Sequence, residues 1–102
     1  MSTFQHLSVS QLMQMQQTSP ELQIVDIRDA ASYETGHIDG AFNLNNENLA
    51  HYIADADMDL PIVVVCYHGI SSQSAATYLN EQGFDEVFSL DGGYSAWHLA
   101  HL

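Results

Sequence analysis

Four β-branched residues stand in an unbroken row, Ile62-Val63-Val64-Val65, and the row ends in the only cysteine of the chain, Cys66. A strand with one wet face alternates apolar and polar residues, whereas an unbroken run marks a strand buried on both faces. Such a strand belongs in a parallel sheet with helices above and below it. Directly after the cysteine comes a short stretch with one glycine, Tyr67-His68-Gly69-Ile70. Ser71 and Ser72 then open a helical pattern that continues through Gln73-Ser74-Ala75-Ala76-Thr77-Tyr78-Leu79. The sequence therefore delivers a thiol from a buried strand to the mouth of a helix. In open α/β sheets, ligands bind at that carboxyl end of the strands.

The rest of the chain supplies the other layers. Phe4-Gln5-His6-Leu7 reads as a short first strand. Ser8 or Ser10 caps a helix running to about Gln17, with Leu12 and Met15 inward, and Thr18-Ser19-Pro20 breaks it. Ile24-Val25-Asp26-Ile27 is a second buried strand. Asp29 caps a short helix, Ala30-Ala31-Ser32-Tyr33-Glu34, which Gly36 ends. A strand is expected around Ala41-Phe42-Asn43, and then a helix capped by Asn45 or Asn46 with Leu49, Tyr52 and Ile53 on one side. After the cysteine loop, the helix with Ala75, Ala76 and Leu79 inward stops at Gly83. Val87-Phe88-Ser89-Leu90 forms the last strand, Asp91-Gly92-Gly93 a turn, and Tyr94 to about His101 a final helix. Strands alternating with helices over 102 residues make one α/β domain.

Two readings of Cys66 are open from this pattern. It is either a small hydrophobe closing a core strand or a reactive thiol. The first turn of a helix has amide N–H groups without partners and carries partial positive charge. That environment lowers a cysteine pKa from about 8.5 into the range of roughly 3.5–7.5. Gly69 suits a loop curling around the sulfur, because glycine accepts positive φ and close backbone approach. The same cradle of amides would hold a small oxyanion in front of the sulfur.

Charge narrows the function classes. There are 13 acidic residues against one arginine, Arg28, with no lysine, and the formal net charge is −12. Nucleic acid or an anionic membrane cannot be held by a basic patch that does not exist. The longest apolar run, residues 62–66, is far short of a membrane span. Met1-Ser2-Thr3-Phe4 has no basic region followed by an apolar run, so no signal peptide is expected. A lone cysteine excludes an internal disulfide and an internal resolving thiol. It suits a reducing compartment, and a cytoplasmic location is expected.

Other chemistries fit poorly. Asp55, Asp57 and Asp59 open like a calcium loop, but Leu60 and Cys66 stand where glycine and glutamate are needed. His98 and His101 share a helix face without a third ligand, so no metal is expected, nor any other cofactor. No lysine exists for a P-loop. Gly69-Ile70-Ser71 lacks the second glycine of a serine-hydrolase elbow. Arg28 follows a core strand and is read as the partner of a nearby carboxylate. His68 is read as lining the pocket, because a thiolate formed by dipoles needs no general base.

Several of these segments together resemble the rhodanese family. Val25-Asp26-Ile27-Arg28, Tyr33, Gly36-His37-Ile38 and Gly40-Ala41-Phe42-Asn43-Leu44 are similar to its first signature. Asp91-Gly92-Gly93-Tyr94-Ser95-Ala96-Trp97 is similar to its last. Cys66-Tyr67-His68-Gly69-Ile70-Ser71-Ser72 resembles an active loop of its single-domain sulfurtransferases. The resemblance covers nearly the whole chain. It implies one rhodanese domain over residues 1–102, an α/β fold with a five-stranded parallel sheet flanked by helices on both faces.

It also implies a ping-pong reaction. Thiosulfate loads a sulfur onto the cysteine as a persulfide, sulfite leaves, and cyanide or a thiol takes the sulfur away. A thioredoxin-like dithiol protein is one such acceptor. The nucleophile would be Cys66. The amides of Tyr67, His68, Gly69, Ile70 and Ser71, with the hydroxyls of Ser71 and Ser72, would stabilise thiolate and persulfide. Rhodanese loops commonly carry a cation in or just after the loop, and Gln73 stands at a position where close relatives have lysine. Two alternatives are kept beside the sulfurtransferase: a persulfide carrier acting with a partner protein, and a phosphatase or arsenate reductase on a related fold. The latter uses a longer loop ending in an arginine, which Ser71 and Ser72 do not supply.

Overall fold

The structure is a computed structural model and describes residues 4–102. Met1, Ser2 and Thr3, on which the reading of the N-terminus partly rests, lie outside the described residues.

In chain order the elements are β1 (Gln5–Leu7), α1 (Val9–Thr18), β2 (Gln23–Asp26), α2 (Ala30–Thr35) and β3 (Phe42–Asn43). There follow α3 (Leu49–Asp55), β4 (Ile62–Val65), α4 (Ser71–Glu81), β5 (Val87–Leu90) and α5 (Gly93–Ala100). The five strands form one sheet in the order β1-β5-β4-β2-β3, and every pairing is parallel. The unbroken apolar run is the central strand β4, and all four of its residues are buried. Its side chains alternate between two cores. Val63 and Val65 pack with Leu7, Leu12, Ile24 and Leu90 beneath α1 and α5. Ile62 and Val64 pack with Val25, Ala76, Leu79 and Phe84 beneath α3 and α4. Each fully buried side chain of this size stabilises the fold by roughly 1.5–3 kcal/mol. The sheet is therefore held from both sides around the strand that ends in Cys66.

Local chemistry explains most of the boundaries. Ser8, and not Ser10, caps α1: its hydroxyl accepts from Gln11 N, and the Gln11 side chain accepts from Ser8 N. Asp29 caps α2 through Ser32 N. One detail departs from expectation. Asn45 does not cap α3. Its carboxamide accepts from Glu47 N and Asn48 N, while Asn48 accepts from Asn45 N, so the two close a separate turn and the helix starts only at Leu49. Gly36 ends α2 in an extended conformation, φ 168°. A Cβ there would stand 2.7 Å from Tyr94 Oη on α5, so a larger residue would push that ring aside.

Candidate active site

The cysteine loop is shaped from behind by α5. Val65 pairs with Asp26 in the sheet and its carbonyl accepts from Ile27 N. Beyond it, the Cys66 carbonyl accepts from Tyr94 N at 2.8 Å and the Tyr67 carbonyl from Ser95 N at 3.0 Å. These donors belong to the first turn of α5, whose amides have no partner within their own helix. With its carbonyls tied to α5, the loop is free to turn its amides inward. The approach is so close that side chains are excluded. Gly93 has φ +60°, and a Cβ there would lie 2.5 Å from the Cys66 carbonyl oxygen. Gly69 has φ +85°, and its Cβ would lie 2.7 Å from Gly92 N. The Asp91-Gly92-Gly93 turn and the loop glycine are thus two halves of one backbone-to-backbone contact.

Within this loop Cys66 is 3% exposed. Gly69 N donates to it at 3.1 Å and Ser72 N at 3.3 Å, and the Ser72 hydroxyl lies 3.2 Å away. Burial pushes the thiol pKa up. Hydrogen bonds from the Ser72 hydroxyl and from the amides of Ser72, Gly69 and His68 outweigh that effect and bring it below its ordinary value. Ser71 and Ser72 occupy the first turn of α4, so the positive end of that helix adds to the same field. What the arrangement offers chemically is a single buried thiol drawn toward thiolate by dipoles, with no charged side chain hydrogen-bonded to the sulfur among the described residues.

Side chains of the loop that do not bond the sulfur have other roles. Tyr67 turns outward and donates its phenol to the Asp29 carboxylate, which holds that carboxyl at about 2; the phenol also meets Ser32 Oγ. His68 is exposed, its Nδ1 3.1 Å from Ser95 Oγ. Ile70 is 72% exposed, a bare apolar side chain beside the site. Ser71 is exposed at the start of α4. Gln73 donates through Nε2 to the Gly69 carbonyl at 2.8 Å and so braces the loop at its exit. An open groove of about 820 Å³ runs alongside, between α3 and α4, lined by Ile27, Asp29, Leu49, Ala75 and Tyr78 among others; Cys66 does not line it.

Arg28 is no part of the cradle. Its guanidinium holds Asp26 through Nε and Nη2, donates to the Gly36 carbonyl at 2.7 Å and stacks on the Tyr94 ring. Residues the sequence reading did not single out are also drawn in. The backbone amides of Tyr94 and Ser95 hold the loop. Ser89 of β5, fully buried, meets Ser72 Oγ at 2.8 Å. A serine at an inward position of an otherwise apolar strand is the signal that marks Ser89.

The comparisons with known proteins agree with this geometry. The family described as rhodanese-like domain matches residues 8–100. A protein of Shewanella oneidensis, thiosulfate sulfurtransferase GlpE, is 71% identical over 101 residues, covering 99% of each chain. Among solved structures, a rhodanese-like domain protein from Staphylococcus aureus superposes with a TM-score of 0.81 at 22% identity, over 92% of this chain and 91% of that one. A Rhodopseudomonas palustris protein of unknown function, described as a possible tyrosine phosphatase, superposes with a TM-score of 0.82 at 27% identity, over 97% of this chain and 83% of that one. The match runs through both signatures and the cysteine loop between them, and the chain belongs to the rhodanese family.

Proposed function

We propose that the chain is a thiosulfate sulfurtransferase working through a persulfide on Cys66. The observation that carries this reading is the sulfur cradle: one buried thiol, drawn toward thiolate by Gly69 N, Ser72 N and the Ser72 hydroxyl. The name of the 71% identical relative supports the same reaction.

Each step balances without a cofactor. The Cys66 thiolate attacks the outer sulfur of thiosulfate. A new sulfur–sulfur bond forms, the one within thiosulfate breaks, and sulfite leaves with the electron pair. The persulfide then sits where the thiolate was, and loop amides offer donors to its terminal sulfur. Cyanide, or a thiolate acceptor, attacks that sulfur; the bond to Cys66 breaks and the thiolate returns. The roles assigned are nucleophile for Cys66 and amide donors for Tyr67, His68, Gly69, Ile70 and Ser71. Ser72 donates through both its amide and its hydroxyl. In the cell the acceptor is a thiol, such as that of a thioredoxin-like dithiol protein. A lone thiol that must stay reduced between turnovers fits the cytoplasm. Among the described residues no helix is long and apolar enough to cross a membrane.

A phosphatase reading needs a guanidinium over the loop. The chain has one arginine in total, and it is buried against Asp26. A persulfide carrier would share the cradle but would not turn over alone. The test is steady-state thiocyanate formation from thiosulfate and cyanide, with intact mass measured after thiosulfate alone. Wild type gains one sulfur atom and turns over; Cys66→Ser does neither. Persulfide formation without turnover would make the chain a carrier, and sulfur gain in Cys66→Ser would overturn the assignment.

A further inference from the structure

Among the buried side chains on the face of the sheet beneath α4, all are apolar except one. Val87 of β5 packs there with Ile62, Val64, Ala76 and Leu79. Ser89, two residues on, points the same way and pairs in the sheet with Val64 of β4. Its side chain is fully buried. Among the described residues its hydroxyl has one partner, Ser72 Oγ at 2.8 Å, and Ser72 Oγ in turn lies 3.2 Å from the Cys66 sulfur. Ser89, Ser72 and Cys66 thus form a closed chain of three groups joined by two contacts.

Counting hydrogens decides which way the chain points. With the sulfur ionised there are two hydroxyl hydrogens and two contacts. Ser89 donates to Ser72, Ser72 donates to the thiolate, and every hydrogen is used. With the sulfur protonated there are three hydrogens for the same two contacts, so one hydrogen has no acceptor within the chain. A buried donor without an acceptor is disfavoured. The far end of the chain, where water does not reach, therefore biases the near end toward thiolate.

We propose that Ser89 is a positioning residue: it occupies the lone pair of Ser72 and so fixes the Ser72 hydroxyl as a donor to the Cys66 sulfur. It touches no reacting atom and acts only through Ser72. A donor that itself accepts a hydrogen bond is a stronger donor, so the same contact also serves the persulfide. The proposal rests on Cys66 as the nucleophile of sulfur transfer, but its test reads the thiol directly. Other titratable groups near the sulfur are held elsewhere. On the loop, Tyr67 is turned to Asp29 and His68 to Ser95. Asp26 at the end of β2 is paired with Arg28, Asp91 after β5 with His6, and the Tyr94 ring of α5 lies against Arg28. The first turn of α4 has no acidic residue.

The experiment is the pH dependence of alkylation of Cys66, the only thiol, by iodoacetamide, in wild type, Ser89→Ala, Ser72→Ala and the double variant. Ser89→Ala raises the apparent thiol pKa by about half a unit, since each added bond strengthens its neighbour by roughly 10–30%. Ser72→Ala raises it further. In the double variant Ser89→Ala adds nothing to Ser72→Ala, which a merely structural role would not produce. Ser89→Thr and Ser89→Val, alike in shape, serve if the alanine variant does not fold. Threonine then keeps the wild-type value and valine does not. An unchanged pKa in Ser89→Ala, equal values for threonine and valine, or a shift that persists without the Ser72 hydroxyl overturns the proposal. If instead the shift appears while wild type makes no thiocyanate, it is the sulfurtransferase reading that fails.

Discussion

Two adjacent strands of this sheet each end in a buried acidic group, and the protein treats the two in opposite ways. Asp26 closes β2 and pairs in register with Val65, the residue before Cys66. The Asp26 side chain is fully buried and is held by Nε and Nη2 of Arg28 at 2.7–3.1 Å, with Arg28 N at 2.9 Å as a further donor. One strand over, Cys66 is also buried, and among the described residues its sulfur is held only by amides and a hydroxyl. An ion pair supplies a counter-charge and locks the anion in a fixed fork geometry. Dipoles lower the energy of an anion without neutralising it or tying it to one partner. The first arrangement is structural, and the second suits the reactive thiol proposed above. The only permanent cation in the chain is placed on the anion that must stay inert.

The largest effect is expected from breaking the inert site. Arg28→Met leaves the Asp26 carboxylate buried and uncompensated, which costs about 3–5 kcal/mol of stability in chemical denaturation. Removing both charges together, Asp26→Leu with Arg28→Met, restores most of that loss, because burying the pair is itself costly. If the single variant were as stable as wild type, the carboxylate would have another partner and the contrast would fail. Burial lowers the Arg28 pKa, but the hydrogen bond and charge of Asp26 more than compensate, so its guanidinium stays charged at all working pH values.

The proposed reactive site is expected to respond in reactivity before stability. Ser72→Ala removes a hydrogen bond to a charged sulfur, worth about 1.5–3 kcal/mol, of which burial and water entering the gap return a part. The apparent thiol pKa, read by alkylation, rises by about one unit, and thiocyanate formation falls most on the acid side of the pH profile. The fold survives, since Ala76 and Leu79 also anchor α4.

Much of this contrast was legible in the sequence. The unbroken run before Cys66 specifies a central strand. A glycine after the cysteine and serines at a helix start specify the cradle, and an arginine just after a core strand suggests a nearby carboxylate partner, though not which one. Other parts were hidden for definite reasons. The hold of Tyr94 N and Ser95 N on the loop carbonyls is made by backbone, which carries no side-chain signature. Ser89 meets Ser72 only because β5 lies beside β4 and α4 returns over that face, so the contact belongs to topology. The Asn45–Asn48 turn was misread as a helix cap because the same carboxamide chemistry serves both.

A pH titration of stability sharpens the contrast from another side. The folded pKa of Cys66 lies below its unfolded value, chiefly because hydrogen bonds from Ser72 outweigh burial. A group depressed in this way adds stability that is complete above the unfolded value of about 8.5 and is lost as pH falls through the folded pKa. The stability of wild type relative to Cys66→Ala therefore rises with pH up to about pH 9 and then levels off. A difference independent of pH between 5 and 9 would mean that the thiol ionises no more easily in the fold than in the unfolded chain.

The smallest effect tests whether dipoles alone suffice for a charged substrate. Gln73 now donates to the Gly69 carbonyl at 2.8 Å, a bond that a lysine at the same place can also make. Gln73→Lys therefore keeps the loop braced while adding a cation at its exit. Thiosulfate is a dianion approaching a chain of net charge −12, and the added charge contributes about 1 kcal/mol in a partly exposed setting. The thiosulfate KM falls about fivefold. Attack by cyanide changes less, because that step must release the persulfide sulfur rather than hold a dianion. Moderate salt lowers the wild-type KM as well, by screening carboxylates beyond the Debye length of about 8 Å. The lysine variant gains less from salt than wild type, since its cation already offsets part of that repulsion. Steady-state kinetics of both proteins at low and moderate ionic strength decide the matter. An unchanged or higher KM in the lysine variant would show that this cradle holds its donor without need of a counter-charge, or that the donor it has been shaped for is not thiosulfate.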